Sequence, residues 1–167
     1  LPAARDSSIT ATHATSTQNW NVFGDLVSAI DAAGVSTAYT YDKQGRVSMA
    51  IEGEGTAFKR RLSYRYDPSG RITETIYHLS DDSTETSTTT YDGFGRRSAI
   101  AGYGVYPTSF TYDANNNLST VTDASGLVAR SVYDDFDRTL EVYSDEVLIS
   151  ERSYDANGNV TESIDGE

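Results

Sequence analysis

The feature that most constrains this chain is an aromatic residue followed by aspartate or asparagine, which recurs seven times along the sequence. Successive pairs lie 21, 25, 25, 21, 21 and 21 residues apart. So short and regular a period is typical of a repeat protein, in which each unit buries its apolar face only by stacking on its neighbours. The seven pairs are Trp20-Asn21, Tyr41-Asp42, Tyr66-Asp67, Tyr91-Asp92, Tyr112-Asp113, Tyr133-Asp134 and Tyr154-Asp155.

A second column stands three residues after each of these aspartates or asparagines, and it contains only glycine, asparagine or aspartate. These residue types best tolerate a positive φ. The preceding aspartate opens a turn well, because its carboxylate accepts hydrogen bonds from backbone N–H groups two residues on. Together the columns predict a type I turn closed by a left-handed residue in a G1 bulge. The predicted structural turn residues are Asp42, Gly45, Asp67, Gly70, Asp92, Gly95, Asp113, Asn116, Asp134, Asp137, Asp155 and Gly158, with Gly24 in the first unit.

The segments between these turns have the composition of β-strands. Apolar residues alternate after the turn, as in Val47-Met49-Ile51, and aromatic residues share a strand face before it, as in Tyr39 and Tyr41. Further turns, such as Asp31 to Gly34, divide the strand pair within a unit, and the two longer units extend a hairpin or enlarge its loop. Helix signals are absent. The prediction is an all-β chain of tandem antiparallel hairpins in one curved, twisted sheet.

The units begin near residues 20, 41, 66, 91, 112, 133 and 154, so residues 20–167 are predicted to be one continuous unit of seven repeats. Residues 1–19 are predicted to be irregular or part of a preceding repeat strand. Because the chain begins at Leu1 and has no signal-peptide pattern, it is interpreted as a piece of a longer chain.

Composition favours a thin architecture and excludes several classes of function. The apolar fraction is 37%, and counting Gly instead of Tyr gives about 38%, against roughly 45–50% in globular domains. A net charge of −12 disfavours nucleic-acid binding, which needs basic residues to displace counterions. The absence of cysteine excludes disulfides and thiolate metal sites, and no apolar run is long enough to predict membrane insertion.

No residue is predicted to be catalytic, cofactor-binding or metal-binding. The six turn aspartates recur once per unit, and a residue required six times for turn geometry is a poor candidate for a general acid. The two histidines, His13 and His78, lie in unrelated sequence contexts and have no evident partners for a zinc site or a catalytic triad.

The pattern Tyr-Asp-x-x-Gly-Arg-(Val/Ile/Leu) resembles the YD repeat of the Rhs (rearrangement hotspot) family. The match is closest at residues 41–47 and 66–72 and covers about residues 20–167. Asn116 and Asp137 depart from the glycine of this pattern. In that family the repeats form a β-sheet that spirals into a hollow shell around a toxin domain, and related repeats build the ectodomain of teneurins.

The resemblance implies a non-enzymatic structural segment of a β-shell that encapsulates or presents a toxin domain. Its partners would be the remainder of the parent shell and the enclosed toxin, in a secreted or cell-surface bacterial protein delivered by a secretion system. The alternative is a carbohydrate- or cell-surface-binding module, because rows of aromatic side chains can stack on glycans. Tyrosines on one strand face also pack across neighbouring strands, which favours the structural interpretation.

Overall fold

The computed structural model describes residues 16–56 and 59–166, and every regular element in them is a β-strand. No helix occurs in these two ranges, so none is present there that could cross a membrane. The all-β prediction is confirmed. The fourteen strands are β1 (Thr17–Trp20), β2 (Leu26–Ile30), β3 (Ser36–Tyr41), β4 (Val47–Glu52), β5 (Arg60–Tyr66), β6 (Ile72–His78), β7 (Thr84–Tyr91), β8 (Arg97–Gly102), β9 (Thr108–Tyr112), β10 (Leu118–Thr122), β11 (Val128–Tyr133), β12 (Thr139–Ser144), β13 (Val147–Tyr154) and β14 (Val160–Asp165).

The strands form one open sheet in which each strand pairs with the next strand along the chain. All the pairs are antiparallel, and the order runs from β1 to β14 without a crossover. The predicted succession of tandem hairpins is therefore confirmed. Residues 1–15, including His13, lie outside the described residues, while β1 begins at Thr17.

The turns lie on two opposite rims, because consecutive hairpins turn at alternate ends of their strands. One rim carries the seven turns that follow the aromatic-aspartate pairs, and the other carries the second turn of each unit. The two 25-residue units gain their length in different ways. In residues 42–66 the loop between β4 and β5 is longer, whereas in residues 67–91 the strands β6 and β7 are themselves longer than most.

Each strand that follows a turn of the first rim contains a β-bulge near its start. In β4, Val47 pairs with Tyr41 but Met49 pairs with Thr40, so one extra residue lies between these positions. Since opposed residues of an antiparallel pair share a face, Val47 lies on the face of Tyr41 and Met49 on the other. The predicted alternation of Val47, Met49 and Ile51 along one face is therefore wrong at Val47. The same register shift recurs in the six other hairpins of this rim.

The sheet has one layer, and its most shielded side chains lie on the face that carries Tyr39. Ala50 and Leu62 are 6% and 7% exposed, and no other hydrophobic side chain in the described part of the chain is buried. They oppose each other across β4 and β5, and Ala50 also opposes Tyr39. Because the core is so small, contacts between neighbouring strands and between neighbouring turns must supply most of the stability of the sheet. The turns lie at the rims.

Candidate functional site

The repeated site is the five-residue aspartate turn, which starts at the residue after each repeat aromatic residue. In the turn from Asp42 to Arg46, the Asp42 amide donates to the Arg46 carbonyl at 2.8 Å and the Gly45 amide donates to the Asp42 carbonyl at 3.0 Å. The same two bonds occur in all seven turns. The fourth residue has a φ between 62° and 87° in each of them, at Gly24, Gly45, Gly70, Gly95, Asn116, Asp137 and Gly158.

The aspartate carboxylate holds the interior of each turn. In the turn of Asp42, Oδ1 accepts the amides of Gln44 at 2.9 Å and Arg46 at 3.0 Å, while Oδ2 accepts Arg46 Nε at 2.7 Å. A bond from arginine Nε to Oδ2 is also present in the turns of Asp67, Asp92 and Asp134. Elsewhere an asparagine amide replaces the guanidinium, as in the pair of Asp155 and Asn159 at 2.9 Å. The first turn exchanges the roles, since Asn21 Nδ2 donates to Asp25.

These bonds favour the ionised form of the carboxylates. The amide of Arg46 is the main cause that holds the pKa of Asp42 below its usual value, and the amide of Arg71 does the same for Asp67. At Asp134 the side chain of Arg138 is the largest cause of the lowered pKa. A carboxylate stabilised as an anion is a hydrogen-bond acceptor at neutral pH and a poor proton donor.

Acid is expected to destabilise the sheet through these turns. The folded-state pKa values lie below the ordinary one, so in acid the unfolded chain binds more protons than the folded chain. The stabilisation is complete about one pH unit above the unfolded-state pKa of about 4, begins to weaken near pH 5 and is lost as pH falls through the folded pKa values. Urea unfolding followed by circular dichroism should give a midpoint that falls between about pH 5 and pH 3. An unchanged midpoint over this range would contradict the role of the carboxylates.

The tyrosine of each unit is bonded to the unit before it. Tyr66 donates its hydroxyl to the Val47 carbonyl at 2.6 Å, and Val47 is the first residue after the preceding turn. Each of the other five repeat tyrosines makes the equivalent bond. The acceptor is always the carbonyl five residues after the aspartate or asparagine that opens the preceding turn. The six bonds join Tyr41 to Leu26, Tyr66 to Val47, Tyr91 to Ile72, Tyr112 to Arg97, Tyr133 to Leu118 and Tyr154 to Thr139.

The turn arginine also contacts the tyrosine of the next unit. The guanidinium carbon of Arg46 lies 4.4 Å from the ring centroid of Tyr66, within the range of a cation–π interaction. The same arginine is paired with Asp42 at 2.6 Å, so one side chain connects two successive turns. Equivalent contacts join Arg71 to Tyr91, Arg96 to Tyr112 and Arg138 to Tyr154 at 4.3–4.5 Å.

Loss of a single tyrosine hydroxyl is expected to have a measurable effect. Tyr66→Phe keeps the ring under Arg46 but leaves the Val47 carbonyl without its donor, which should lower the free energy of unfolding by about 1 kcal/mol. Tyr106→Phe is the matched control, because the Tyr106 side chain is 86% exposed. Urea denaturation of both variants measures the difference. Equal stability of the two variants would mean that the hydroxyl bond contributes nothing.

The twelve predicted turn residues are therefore spread along one rim, two in each of six successive turns, and do not converge on one point. Among residues 16–56 and 59–166, no group of three or more histidine, aspartate or glutamate side chains is arranged to hold a metal ion. His78 lies away from the turns of this rim, beside Arg61 and Ser63. The bond from tyrosine to the preceding unit and the contact of arginine with the following unit were not predicted. Both contacts could have been suspected from the sequence, because the tyrosine and the arginine recur at fixed positions of the repeat.

Comparison with solved structures returns proteins of the Tc toxin family. The Photorhabdus luminescens Tc holotoxin pore is 13% identical over 89% of this chain, with a TM-score of 0.47. The TcdB2-TccC3-Cdc42 crystal structure is 12% identical over 90% of this chain, with a TM-score of 0.38. This chain spans only 12% and 11% of those chains, respectively. No curated protein sequence matches the chain.

Family models match nearly all of the repeat region. The model described as RHS Repeat matches residues 20–57, which contain the first two aspartate turns. The model described as Teneurin YD-shell matches residues 55–165, which is 111 of the 167 residues and contains the other five turns. With the turn geometry repeated in every unit and well over half of the sequence matched, the chain belongs to the teneurin YD-shell family.

Proposed function

We propose that this chain is a structural segment of an Rhs/YD-repeat β-shell that encapsulates or presents a toxin domain, and that it has no catalytic activity of its own. The observation that carries the proposal is the contact between units. Six successive tyrosines bond to the same position of the preceding unit, and four arginines lie over the tyrosine of the following unit. Contacts repeated in this way extend a wall, whereas a catalytic site needs different side chains that converge.

The thinness of the sheet supports the same function. A wall must cover a large area with few residues, and a one-layer sheet with only two buried hydrophobic side chains in its described part meets that need. We propose residues 20–167 as one continuous unit of such a wall, with curvature that closes it around a cavity. Its partners would be the rest of the parent shell and the enclosed toxin, in a secreted or cell-surface bacterial protein.

The proposal can be tested on the protein produced from the complete reading frame that encodes this chain. We expect electron cryomicroscopy of the purified product to show a hollow shell in which residues 20–167 form consecutive strands of the wall. A segment outside the repeats should resist protease until the shell is unfolded. A solid or open particle, or a cargo segment cleaved at the same rate before and after unfolding, would contradict the proposal. So would hydrolase activity of this chain that is lost on substitution of a single aspartate or histidine.

The glycan-binding alternative is less well supported by the geometry. Stacking on sugars needs an accessible ring face, but four of the repeat tyrosine rings lie under arginines, and the hydroxyls of all six are used in bonds to main-chain carbonyls. The most exposed tyrosine, Tyr106, is on the opposite rim at 86% exposure. Glycan-array binding that disappears in Tyr106→Ala would favour the alternative over a purely structural role.

A further inference from the structure

A polar pocket lies on the face of the sheet that points away from Leu62 and the repeat tyrosines. Arg61 on β5 and His78 at the end of β6 are opposed residues of the same antiparallel pair. Because Arg61 neighbours Leu62 in the strand, its side chain is on the other face. The pocket is lined by Lys59, Arg61, His78, Leu79, Ser80 and Asp82.

A chain of hydrogen bonds holds the guanidinium in this pocket. Arg61 Nη2 lies 3.1 Å from His78 Nδ1, and Ser63 Oγ lies 2.7 Å from His78 Nε2. A guanidinium has only donors, so Nδ1 must be the acceptor and the imidazole must be neutral, with its Nε2–H directed at Ser63. The arrangement therefore exists only while His78 is unprotonated.

Arg61 differs from the arginines on either side of it in the strand. Arg60 pairs with Glu52 at 3.2 Å, and Arg65 pairs with Glu74 at 3.3 Å. No carboxylate in the described ranges lies within ion-pair distance of Arg61, although the chain has 25 acidic and 13 basic residues. Its guanidinium is hydrogen-bonded to a neutral imidazole, which leaves its charge unpaired, and a second basic residue, Lys59, lines the same pocket.

We propose that Arg61, His78 and Lys59 form an oxyanion-binding site, whose ligand is the carboxylate of a protein segment or a free phosphate. A planar guanidinium and an ammonium are the usual ligands of such groups. When the imidazole is protonated, Nδ1 becomes a second donor facing the guanidinium, and an oxyanion placed between them accepts from both. Protonation of His78 and binding of the anion thus favour each other by linkage.

The surroundings of His78 fit this behaviour. Burial lowers the pKa of His78, and the charge of Arg61 lowers it further, so without a ligand the imidazole stays neutral at pH 7. On β7 the opposed residue is Thr84, which is uncharged, and Glu74 farther along β6 is already paired with Arg65. Asp82, in the loop after β6, is the one carboxylate that lines the pocket, and it opposes anion binding.

The test is a nuclear magnetic resonance titration of the histidine Cε1–H signals of the full chain in sodium chloride, sodium phosphate or sodium acetate at matched ionic strength. The variant His78→Gln identifies which signal belongs to His78. We expect phosphate, acetate or both to raise the pKa of His78 relative to chloride. A rise with acetate alone identifies a carboxylate ligand, and a rise with phosphate alone identifies free phosphate.

Substitutions distinguish binding at this specific site from a general effect of the protein's net charge. Arg61→Gln should weaken the anion affinity about tenfold or more, because it removes a charge-assisted hydrogen bond. Arg60→Gln removes the same charge from the opposite face and should leave the affinity unchanged, while Asp82→Asn should strengthen it. Circular dichroism checks that each variant is folded. The proposal is overturned if neither anion raises the pKa of His78, or if Arg61→Gln and Arg60→Gln behave alike.

Discussion

Replacing Gly70 with valine is expected to lower the free energy of unfolding by about 2 kcal/mol, because a β-branched residue is strained in the left-handed region. Gly70 has a φ of 83° in the aspartate turn between β5 and β6. A Cβ added at this position would meet no atom within 4 Å, so the expected loss comes from the backbone conformation and not from a collision. Urea denaturation of the variant and the parent chain measures it.

Two substitutions serve as controls for this prediction. Gly93 lies two residues before Gly95 in the next turn, its φ is outside the left-handed region, and an added Cβ there also meets nothing within 4 Å. Gly93→Val should therefore leave the stability nearly unchanged. Gly70→Asn should lose much less than Gly70→Val, because Asn116 holds the equivalent position with a φ of 74°. If Gly70→Val and Gly93→Val are equally stable, the turn does not depend on its left-handed residue.

Replacing Leu62 with alanine is expected to lower the free energy of unfolding by about 2 kcal/mol, at the lower end of the usual range because a one-layer sheet can close around the gap. Leu62 is 7% exposed and lies between Ala50 on β4 and Tyr77 on β6. Because Leu62 opposes Ala50 on one side and Tyr77 on the other, the truncation removes apolar contacts on both sides. Denaturant unfolding followed by circular dichroism measures the loss.

Leu148 is the matched control for Leu62. It is the same residue type in a strand of the same sheet, but it is 36% exposed on β13, next to the edge strand β14. Leu148→Ala should lower the stability by less than half as much, since less apolar surface is returned to water. If Leu148→Ala is as damaging as Leu62→Ala, burial on the tyrosine face is not what stabilises the centre of the sheet.

The aspartate turns could be predicted closely because the information for them is local. A left-handed residue three positions after an aspartate restricts the chain to very few conformations, and only glycine, asparagine and aspartate adopt that φ readily. All seven such positions, including Asn116 and Asp137, have positive φ. The hairpins could be predicted from these turns, because a loop this short places the two strands that it joins side by side, where they pair.

The bulges inside the strands, which are separate from the predicted G1 bulge of each turn, were missed because a bulged pair of residues and a regularly alternating pair look the same in a sequence. Val47 and Met49 are both apolar, so their spacing predicts a common face, but the extra residue between their paired positions puts Val47 with Tyr41 and Met49 with Thr40. The hydroxyl of Ser48 lies 3.0 Å from that of Thr40, which is consistent with an extra residue opposite Thr40. Such a contact becomes visible only when the register is known.

The sequence by itself determined the all-β fold, the repeat and the place of each aspartate turn, because these depend on the φ preference of single residues and on bonds within five residues. Only the tertiary structure decided which unit each side chain contacts. The tyrosine bonds 15 or 19 residues back, and the arginine reaches 16 to 20 residues forward onto the ring of the next unit. Only strand pairing brings residues that are this far apart in the sequence into contact. The opposed positions of Arg61 and His78 likewise come from the register of β5 and β6, which no local pattern encodes.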